Sequence, residues 1–208
     1  MSASAEQKFL IQGPAGTIEA LVTRAENPTG LAVICHPNPV QGGTMHNKVV
    51  HTLMRAARDC GATTVRFNFR GVGGSDGQHT GGAGEVDDCL AVVQWAQKEL
   101  GGQLPLWLMG FSFGGYVAAA AACRLPDWPA KVALIAPSVV KQDFAALLPF
   151  PGDALVVMGE RDEVVPPQAV HELLEGQAGV DMVRFEDTGH FFHGKLTQLK
   201  DVVQSRLG

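Results

Sequence analysis

A single serine stands where the chain turns from a predicted strand into a predicted helix. It is the centre of the pentapeptide GFSFG (residues 110–114), which follows the apolar run LPLWLM and precedes an alanine-rich run. In such a sharp turn the serine backbone is strained and the hydroxyl projects out of the sheet, so only small flanking residues fit. Gly110, Gly114 and Gly115 meet that need. The pattern predicts that Ser112 is a nucleophile rather than part of a chance match.

A serine hydroxyl is a weak nucleophile, so it needs a base that is itself oriented by a carboxylate. In this strand-turn-helix arrangement both come later in the chain, the acid before the base, each in a loop after a strand. Asp162 follows the strand ALVVM and His190 follows VDMVRF. We expect these two residues to be the acid and the base. Glu160 and Glu163 are alternatives for the acid, and His193, expected in the first turn of the last helix, is the alternative for the base.

Acyl transfer also requires two backbone N–H groups that stabilise the oxyanion. One comes from the residue after the nucleophile, which is Phe113, and one from the loop after the third strand. In that loop Pro37 and Pro39 have no N–H to donate. Asn38 is therefore the predicted second donor, and Val40 or a later residue is the alternative.

Other chemistries are not supported by the motifs. The run GVGGSD (residues 71–76) lacks the third glycine of a dinucleotide fingerprint and follows the fourth predicted strand. The chain contains neither GxxxxGK[ST] nor HExxH, and His46 and His51 are too widely spaced for that zinc motif. We expect no cofactor and no metal.

The elements that position these residues alternate in type. Short β-branched runs alternate with amphipathic stretches, which is typical of βαβ units around a parallel sheet. The first two strands are joined by GPAG (residues 13–16), which predicts an antiparallel hairpin at one sheet edge. Strands are predicted at 7–12, 17–23, 30–35, 62–68, 105–109, 130–135, 153–158 and 180–185, and helices at 46–59, 84–99, 113–123, 167–175 and 193–206. The length of 208 residues favours one domain spanning 1–208.

Composition excludes several classes of protein. Hydrophobic residues make up 46% and charged residues 18% of the chain, which is typical of a globular protein and not of a disordered one. The formal net charge is −5 and no run of lysine or arginine occurs, so we expect neither nucleic-acid nor membrane binding.

Location and redox state are also expectations from the sequence. The amino terminus lacks the pattern of a secretory signal, so we expect a cytoplasmic protein. Residues 100–123 carry no charge, but Pro105 and several glycines divide them into a strand and a helix of a soluble fold. The four cysteines are widely spread, and we expect them to be reduced and mostly buried.

Taken together, these residues resemble the α/β-hydrolase superfamily from about residue 30 to 195. The resemblance rests on the serine turn, the loop GERDEVVP (residues 159–166) and the Gly189-His190 pair. Two longer segments, HPNPVQGGTMHNKVV (36–50) and RFNFRGVGGSDG (66–77), are similar to a group of small, lidless bacterial predicted hydrolases with carboxylesterase-like activity. That group tends to have histidine at the position of Asn38 and aspartate at that of His46.

The resemblance implies an α/β-hydrolase fold with a mostly parallel sheet of about eight strands. Only residues 136–152 separate the sixth and seventh predicted strands, too few for a cap domain. We expect an open site formed by loops 36–47, 71–84 and 138–150. The expected reaction is hydrolysis of small-molecule carboxylic esters, with a preference for short acyl chains, through an acyl-enzyme intermediate. Thioesters, lactones and peptide bonds are alternatives on the same residues, and a catalytically silent binding module is the alternative from another class.

Overall fold

The computed structural model describes residues 5–208, which form one eight-stranded sheet flanked by five α-helices. The strands are β1 (Gln7–Gly13), β2 (Gly16–Thr23), β3 (Leu31–Cys35), β4 (Thr63–Phe67), β5 (Leu106–Phe111), β6 (Lys131–Ile135), β7 (Ala154–Gly159) and β8 (Val180–Phe185). The helices are α1 (Lys48–Asp59), α2 (Ala83–Leu100), α3 (Phe113–Arg124), α4 (Pro167–Leu174) and α5 (Leu196–Leu207). The predicted α/β-hydrolase architecture is confirmed.

The strand order β1-β2-β4-β3-β5-β6-β7-β8 determines where a site can form. From β3 to β8 the paired strands are parallel, whereas the β1–β2 hairpin lies antiparallel at one edge, as predicted. The chain passes from β3 to β4 on one side and then returns to add β5 on the other. In open α/β sheets such a switch point leaves a crevice beyond the carboxyl ends of the strands, and ligands bind there.

Helices on both faces bury the central strands. All residues of β3, β4, β5 and β7 are buried, while β1 and β8 at the edges are partly exposed. Helices α1 and α5 pack against each other, and α2 and α3 form a second pair. Strands covered on both faces are expected to be continuous apolar runs, as in LAVIC of β3 and ALVVMG of β7. This core gives the loops at the carboxyl ends a rigid base.

Two helices begin later than predicted. Helix α1 begins at Lys48 rather than 46, because the side chain of Asn47 accepts a hydrogen bond from the Val49 N–H and caps the helix. Helix α5 begins at Leu196 rather than 193, because Phe192 (φ 51°) and Gly194 (φ 71°) adopt left-handed backbone angles that a right-handed helix excludes. The prediction that His193 lies in the first turn of this helix was therefore wrong.

The connection from β6 to β7 has no room for a lid. Among the residues that the structure describes, it contains only the 3₁₀ turn Ala145–Leu147. The predicted break in the uncharged stretch 100–123 is also present, because β5 and α3 divide it. No helix within residues 5–208 is long and apolar enough to cross a membrane. All four cysteines are free thiols that form no disulfide; Cys35 and Cys89 are buried, and Cys60 and Cys123 are half-buried.

Candidate active site

Ser112 occupies a strained turn between β5 and α3. Its backbone angles are φ 57° and ψ −119°, in a region that side-chain-bearing residues rarely adopt. Glycines make the turn possible, because a Cβ at Gly110 would lie 2.0 Å from the Gly114 carbonyl oxygen and one at Gly114 would lie 2.4 Å from the Cys35 carbonyl oxygen. The Ser112 N–H donates to the Ile135 carbonyl over 2.8 Å, which ties the turn to β6. The hydroxyl is thereby fixed at the switch point of the sheet.

The structure brings Ser112, His190 and Asp162 into one hydrogen-bonded chain. The Ser112 Oγ lies 3.0 Å from the His190 Nε2, and the His190 Nδ1 lies 2.6 Å from the Asp162 Oδ2. Their relative exposures are 5%, 2% and 8%, so the three groups are nearly removed from bulk water. With Nδ1–H donating to the carboxylate, Nε2 is left free to accept the serine proton. The arrangement has the geometry required for general-base activation of a hydroxyl.

Both oxygens of the Asp162 carboxylate are held. The Oδ2 accepts from His190, and the Oδ1 accepts from the backbone N–H groups of Val164 and Val165 over 2.8 and 2.7 Å. The Asp162 N–H also donates to the Gly159 carbonyl at the end of β7. Because the loop backbone fixes the carboxylate, the His190 ring has a defined orientation rather than a choice of rotamers.

The loop after β3 leaves one free N–H beside Ser112. The N–H groups of Val40, Gln41, Gly42 and Gly43 all donate to atoms of Asn38 or Pro39. Within the described residues, no acceptor faces the N–H of Asn38 or that of Phe113, and both residues line the cavity in front of Ser112. The alternative of Val40 or the next three residues as the oxyanion donor is therefore disfavoured, which leaves Asn38 and Phe113.

The ring of His36 holds the loop after β3 in place. Its ring is fully buried; the Nε2 accepts from the Phe69 N–H over 3.0 Å, and the Nδ1 lies 2.7 Å from the Pro37 carbonyl oxygen. A proton on Nε2 would remove the Phe69 contact, and burial lowers the pKa of His36 to about 4. The ring is therefore neutral near pH 7 and joins the loop after β3 to the end of β4.

Comparison with known proteins identifies the family. A family model described as alpha/beta hydrolase fold matches residues 33–149, more than half of the chain. An uncharacterized protein of Rickettsia prowazekii is 32% identical over 96% of this chain and 88% of its own length. The chain belongs to the α/β-hydrolase family.

Two solved hydrolases are similar over nearly their whole length. An alpha-beta serine hydrolase homologue from Coxiella burnetii is 40% identical, covers 100% of both chains and superimposes with a TM-score of 0.92. A serine hydrolase without lid from Xanthomonas campestris, XC6422, is also 40% identical, over 100% of this chain and 95% of its own, with a TM-score of 0.91. The present α/β hydrolase shares the fold of both, and its β6–β7 connection, like the Xanthomonas protein, has no lid.

A small cavity opens in front of Ser112 in this hydrolase. It has a volume of about 190 Å³ and is lined by both apolar and polar residues. The apolar ones include Val140, Val164, Val165 and Pro166, and the polar ones Asn38, Gln41, Ser138 and Lys141. Space of this size beside the hydroxyl accommodates a short acyl group.

One of the three loops predicted to form the site does not line this cavity. The loop 71–84 is held against the hairpin and α2 instead: Gly74 donates its N–H to Glu19, the Asp76 N–H donates to the Thr17 carbonyl, and Glu85 binds Thr80 and Gly82. The loop that carries Asp162 lines the cavity instead, through residues 164–166. The expectation that 71–84 lines this cavity was therefore wrong; the loop packs instead against Phe113, whose ring centre lies 5.4 Å from that of His79.

Glu163 has a contact that the sequence did not indicate. Its side chain is exposed, as expected of a solvated loop carboxylate, but its Oε2 accepts the His190 backbone N–H over 3.2 Å. A Cβ at Gly189 would lie 2.7 Å from the same oxygen, so a larger residue there would displace the carboxylate. The carboxylate therefore holds the backbone of the loop that carries His190. The glycine before the histidine was the one sequence signal of a close neighbour.

Replacing Glu163 tests that contact in this hydrolase. Glu163→Ala removes the acceptor, and we expect kcat to fall about fivefold, the equivalent of one ordinary hydrogen bond of about 1 kcal/mol. Glu163→Gln keeps an acceptor oxygen and should stay within about twofold of the parent. Steady-state kinetics on a short-chain nitrophenyl ester separate kcat from KM. Equal losses in the two variants, or a loss confined to KM, would show that Glu163 does not position His190.

Asp162→Asn is expected to lower kcat by at least ~10²-fold with little change in KM. The amide N–H₂ would donate to the His190 Nδ1 instead of accepting from its N–H, which favours the wrong ring tautomer, and a neutral amide does not stabilise the imidazolium; in a serine protease the corresponding change costs roughly 10⁴-fold in turnover. The matched control is Asp187→Asn, because Asp187 is an exposed carboxylate that pairs with Arg161. A nearly silent Asp162→Asn, together with a crippled Glu160→Gln, would move the acid to another residue.

The buried neutral His36 makes folding sensitive to acid. Its pKa is about 4 in the folded chain and about 6.5 in an unfolded one, so below pH 6.5 the unfolded state binds a proton that the folded state does not. Stability is thus lost as pH falls from 6.5 to 4, by on the order of 3 kcal/mol from this group. Urea unfolding of the parent and of His36→Gln, which keeps an acceptor but does not titrate, should show a shallower pH slope in the variant. Identical slopes would refute this assignment.

Proposed function

We propose that this hydrolase cleaves short-chain carboxylic esters of small molecules through an acyl-enzyme on Ser112. The observation that carries the proposal is the continuous hydrogen-bond chain from Ser112 through His190 to Asp162 at the mouth of a cavity. A serine hydroxyl needs such a base to become a useful nucleophile near neutral pH.

In the first half-reaction the Ser112 Oγ attacks the ester carbonyl carbon while its proton passes to the His190 Nε2. The carbonyl oxygen becomes an oxyanion, which the N–H groups of Phe113 and Asn38 stabilise. Asp162 stabilises the imidazolium through the Nδ1–H bond. The bond to the leaving oxygen then breaks, the leaving group takes the proton from His190, and the acyl group remains on Ser112.

In the second half-reaction a water molecule replaces the leaving group. His190 takes one proton from the water as its oxygen attacks the acyl carbon, and returns that proton to the Ser112 Oγ as the acid departs. The sum is ester plus water giving acid plus alcohol. Thioesters, lactones and peptide bonds would follow the same steps on the same groups.

The size of the cavity supports a preference for short acyl groups. About 190 Å³ lies beside Ser112, and the β6–β7 connection provides no lid that would bury a longer chain. A series of 4-nitrophenyl esters from acetate to decanoate tests this directly. We expect kcat/KM to be greatest at two to four carbons, on the scale of a cavity that holds only a few methylene groups, and to decline beyond them. Hydrolysis of none of these esters above the rate of Ser112→Ala would contradict the proposed function.

A further inference from the structure

A second cavity, of about 370 Å³, lies between α1 and α5 and is lined mainly by basic side chains. We call it the basic cleft and define it by His46, Lys48, His51, Arg55, Thr197 and Lys200. Lys48, His51 and Arg55 are spaced by three and four residues along α1, so they lie on one face of that helix. No step proposed above uses these residues.

The positive charge of the basic cleft is only partly compensated. Asp59 binds Lys200 over 2.6 Å and also Arg58. Within residues 5–208, no carboxylate lies in salt-bridge contact with Lys48 or Arg55. The chain as a whole has a formal net charge of −5, so two unpaired cations in one cavity are not a general property of its surface.

The pKa of His51 indicates that added positive charge is disfavoured in the cleft. This pKa lies below the ordinary histidine value, chiefly because the ring is partly buried and also because Arg66, Arg55 and Arg58 repel a further positive charge. Glu6 has the opposite effect and raises the pKa. A site where arginines disfavour an added proton is one where an anion is favoured.

The basic cleft adjoins the candidate base. The Lys48 Nζ lies 2.8 Å from the His193 Nδ1 and 5.9 Å from the centre of the Phe191 ring. The Phe191 ring in turn packs against the His190 ring, edge to face, with centres 5.1 Å apart. One aromatic side chain thus separates a cation of the cleft from the histidine whose Nε2 faces Ser112.

The proposed chemistry fixes which part of a substrate approaches that side. The group that protonates the leaving atom is the His190 Nε2, so the leaving group must lie next to His190 when the bond breaks. The cavity lined by Val140 and residues 164–166 is then available to the acyl group. Charge on the leaving group is therefore the feature that the basic cleft can recognise.

We propose that the basic cleft binds a phosphate group carried by the leaving alcohol or thiol of the substrate. This inference rests on the proposed function and names its substrate class: short-chain esters or thioesters whose leaving group is phosphorylated. Lys48 and Arg55 supply charge-assisted hydrogen bonds to the phosphate oxygens, and Lys200 adds a third positive group. Binding there holds the leaving atom on the His190 side of Ser112.

Two pairs of substrates that differ in their phosphates test the proposal. The first pair is 1-butyrylglycerol 3-phosphate, whose phosphate is close to the ester, and its neutral counterpart 1-butyrylglycerol. The second pair is butyryl-coenzyme A, whose phosphates are far from the thioester, and its neutral counterpart S-butyryl-N-acetylcysteamine. We expect the phosphorylated member of at least one pair to have a kcat/KM at least about tenfold higher, the scale of one hydrogen bond to a charged group. The pair that shows the preference identifies the distance from the reacting bond to the phosphate.

Variants assign the preference to the cleft. Arg55→Gln and Lys48→Met should each reduce the ratio of the two kcat/KM values about fivefold or more, and inorganic pyrophosphate should compete with the phosphorylated member. Lys98→Met is the matched control, because Lys98 is a highly exposed cation on α2, and should leave the ratio unchanged.

Two results overturn the inference alone: a ratio near one for both pairs while the neutral members are hydrolysed, or a preference that persists in Arg55→Gln and Lys48→Met. Hydrolysis of no member of either pair above the rate of Ser112→Ala is a different result. It overturns the proposed function and this inference together.

Discussion

Ser112→Ala is expected to lower kcat/KM for 4-nitrophenyl butyrate by at least ~10³-fold, since the loss of a serine nucleophile from a comparable constellation costs roughly 10⁶-fold in kcat. The variant lacks the atom that forms the acyl-enzyme, so only activation by the oxyanion donors and by substrate binding remains. The fold should be retained, because the backbone contacts of residue 112 to β6 and to residue 138 do not involve the hydroxyl. Initial rates and thermal unfolding on the same preparation measure both effects.

Ser138→Ala is the matched control for that loss. Ser138 is buried in the same cavity, its N–H donates to the Ser112 carbonyl over 3.1 Å, and its hydroxyl is not part of the chain to His190. We expect this variant to remain within about fivefold of the parent, the cost of at most one hydrogen bond. Near-parental activity in Ser112→Ala, or equal losses in the two variants, would sink the assignment of the nucleophile.

His190→Ala is expected to reduce kcat/KM on the same ester to a similar extent, again by at least ~10³-fold, because members of such a constellation act as a unit. Without the imidazole, no other group of residues 5–208 in contact with the Ser112 Oγ accepts its proton or passes one to the leaving oxygen. The burst of nitrophenol that reports acylation should disappear in rapid-mixing experiments, while KM changes little.

His193→Ala distinguishes the base from its neighbour. His193 is exposed, contacts Lys48 and lies outside the hydrogen-bond chain of Ser112. Its removal should leave most of the activity on a neutral ester. Reversed losses, with His193→Ala inactive and His190→Ala active, would show that the wrong histidine of this loop has been assigned.

Local features of the site were predictable from the sequence. The turn around Ser112 depends on contiguous residues: an apolar strand, glycines on both sides and an alanine-rich helix. The acid and the base were predictable for a different reason, because parallel strands end at one edge of the sheet and so bring the loops after β7 and β8 together. The structure places His190 in contact with Ser112 and Asp162 in contact with His190, and their catalytic roles remain predictions.

Contacts between distant loops were not predictable. Glu163 reaches the backbone of His190 across 27 positions of sequence, and nothing in the loop 159–166 distinguishes it from a solvated carboxylate. The loop 71–84 was expected to line the site because glycine-rich loops often bind ligands, but Glu19 and Glu85 hold it where it packs against Phe113 and does not line the cavity. Likewise, the left-handed backbone of Phe192 delayed the start of α5 against an otherwise helical pattern. In each case a tertiary hydrogen bond or a single backbone angle decided the outcome.

Labelling with a fluorophosphonate shows whether Ser112 is an activated nucleophile. The Ser112 Oγ would attack phosphorus and expel fluoride, with His190 taking the hydroxyl proton, so the probe needs the activated serine but no knowledge of the natural substrate. We predict one phosphonylated peptide by mass spectrometry, containing Ser112, with labelling abolished in Ser112→Ala and strongly slowed in His190→Ala and Asp162→Asn. An unlabelled parent protein, or labelling of the parent at another residue, would show that Ser112 is not an activated nucleophile.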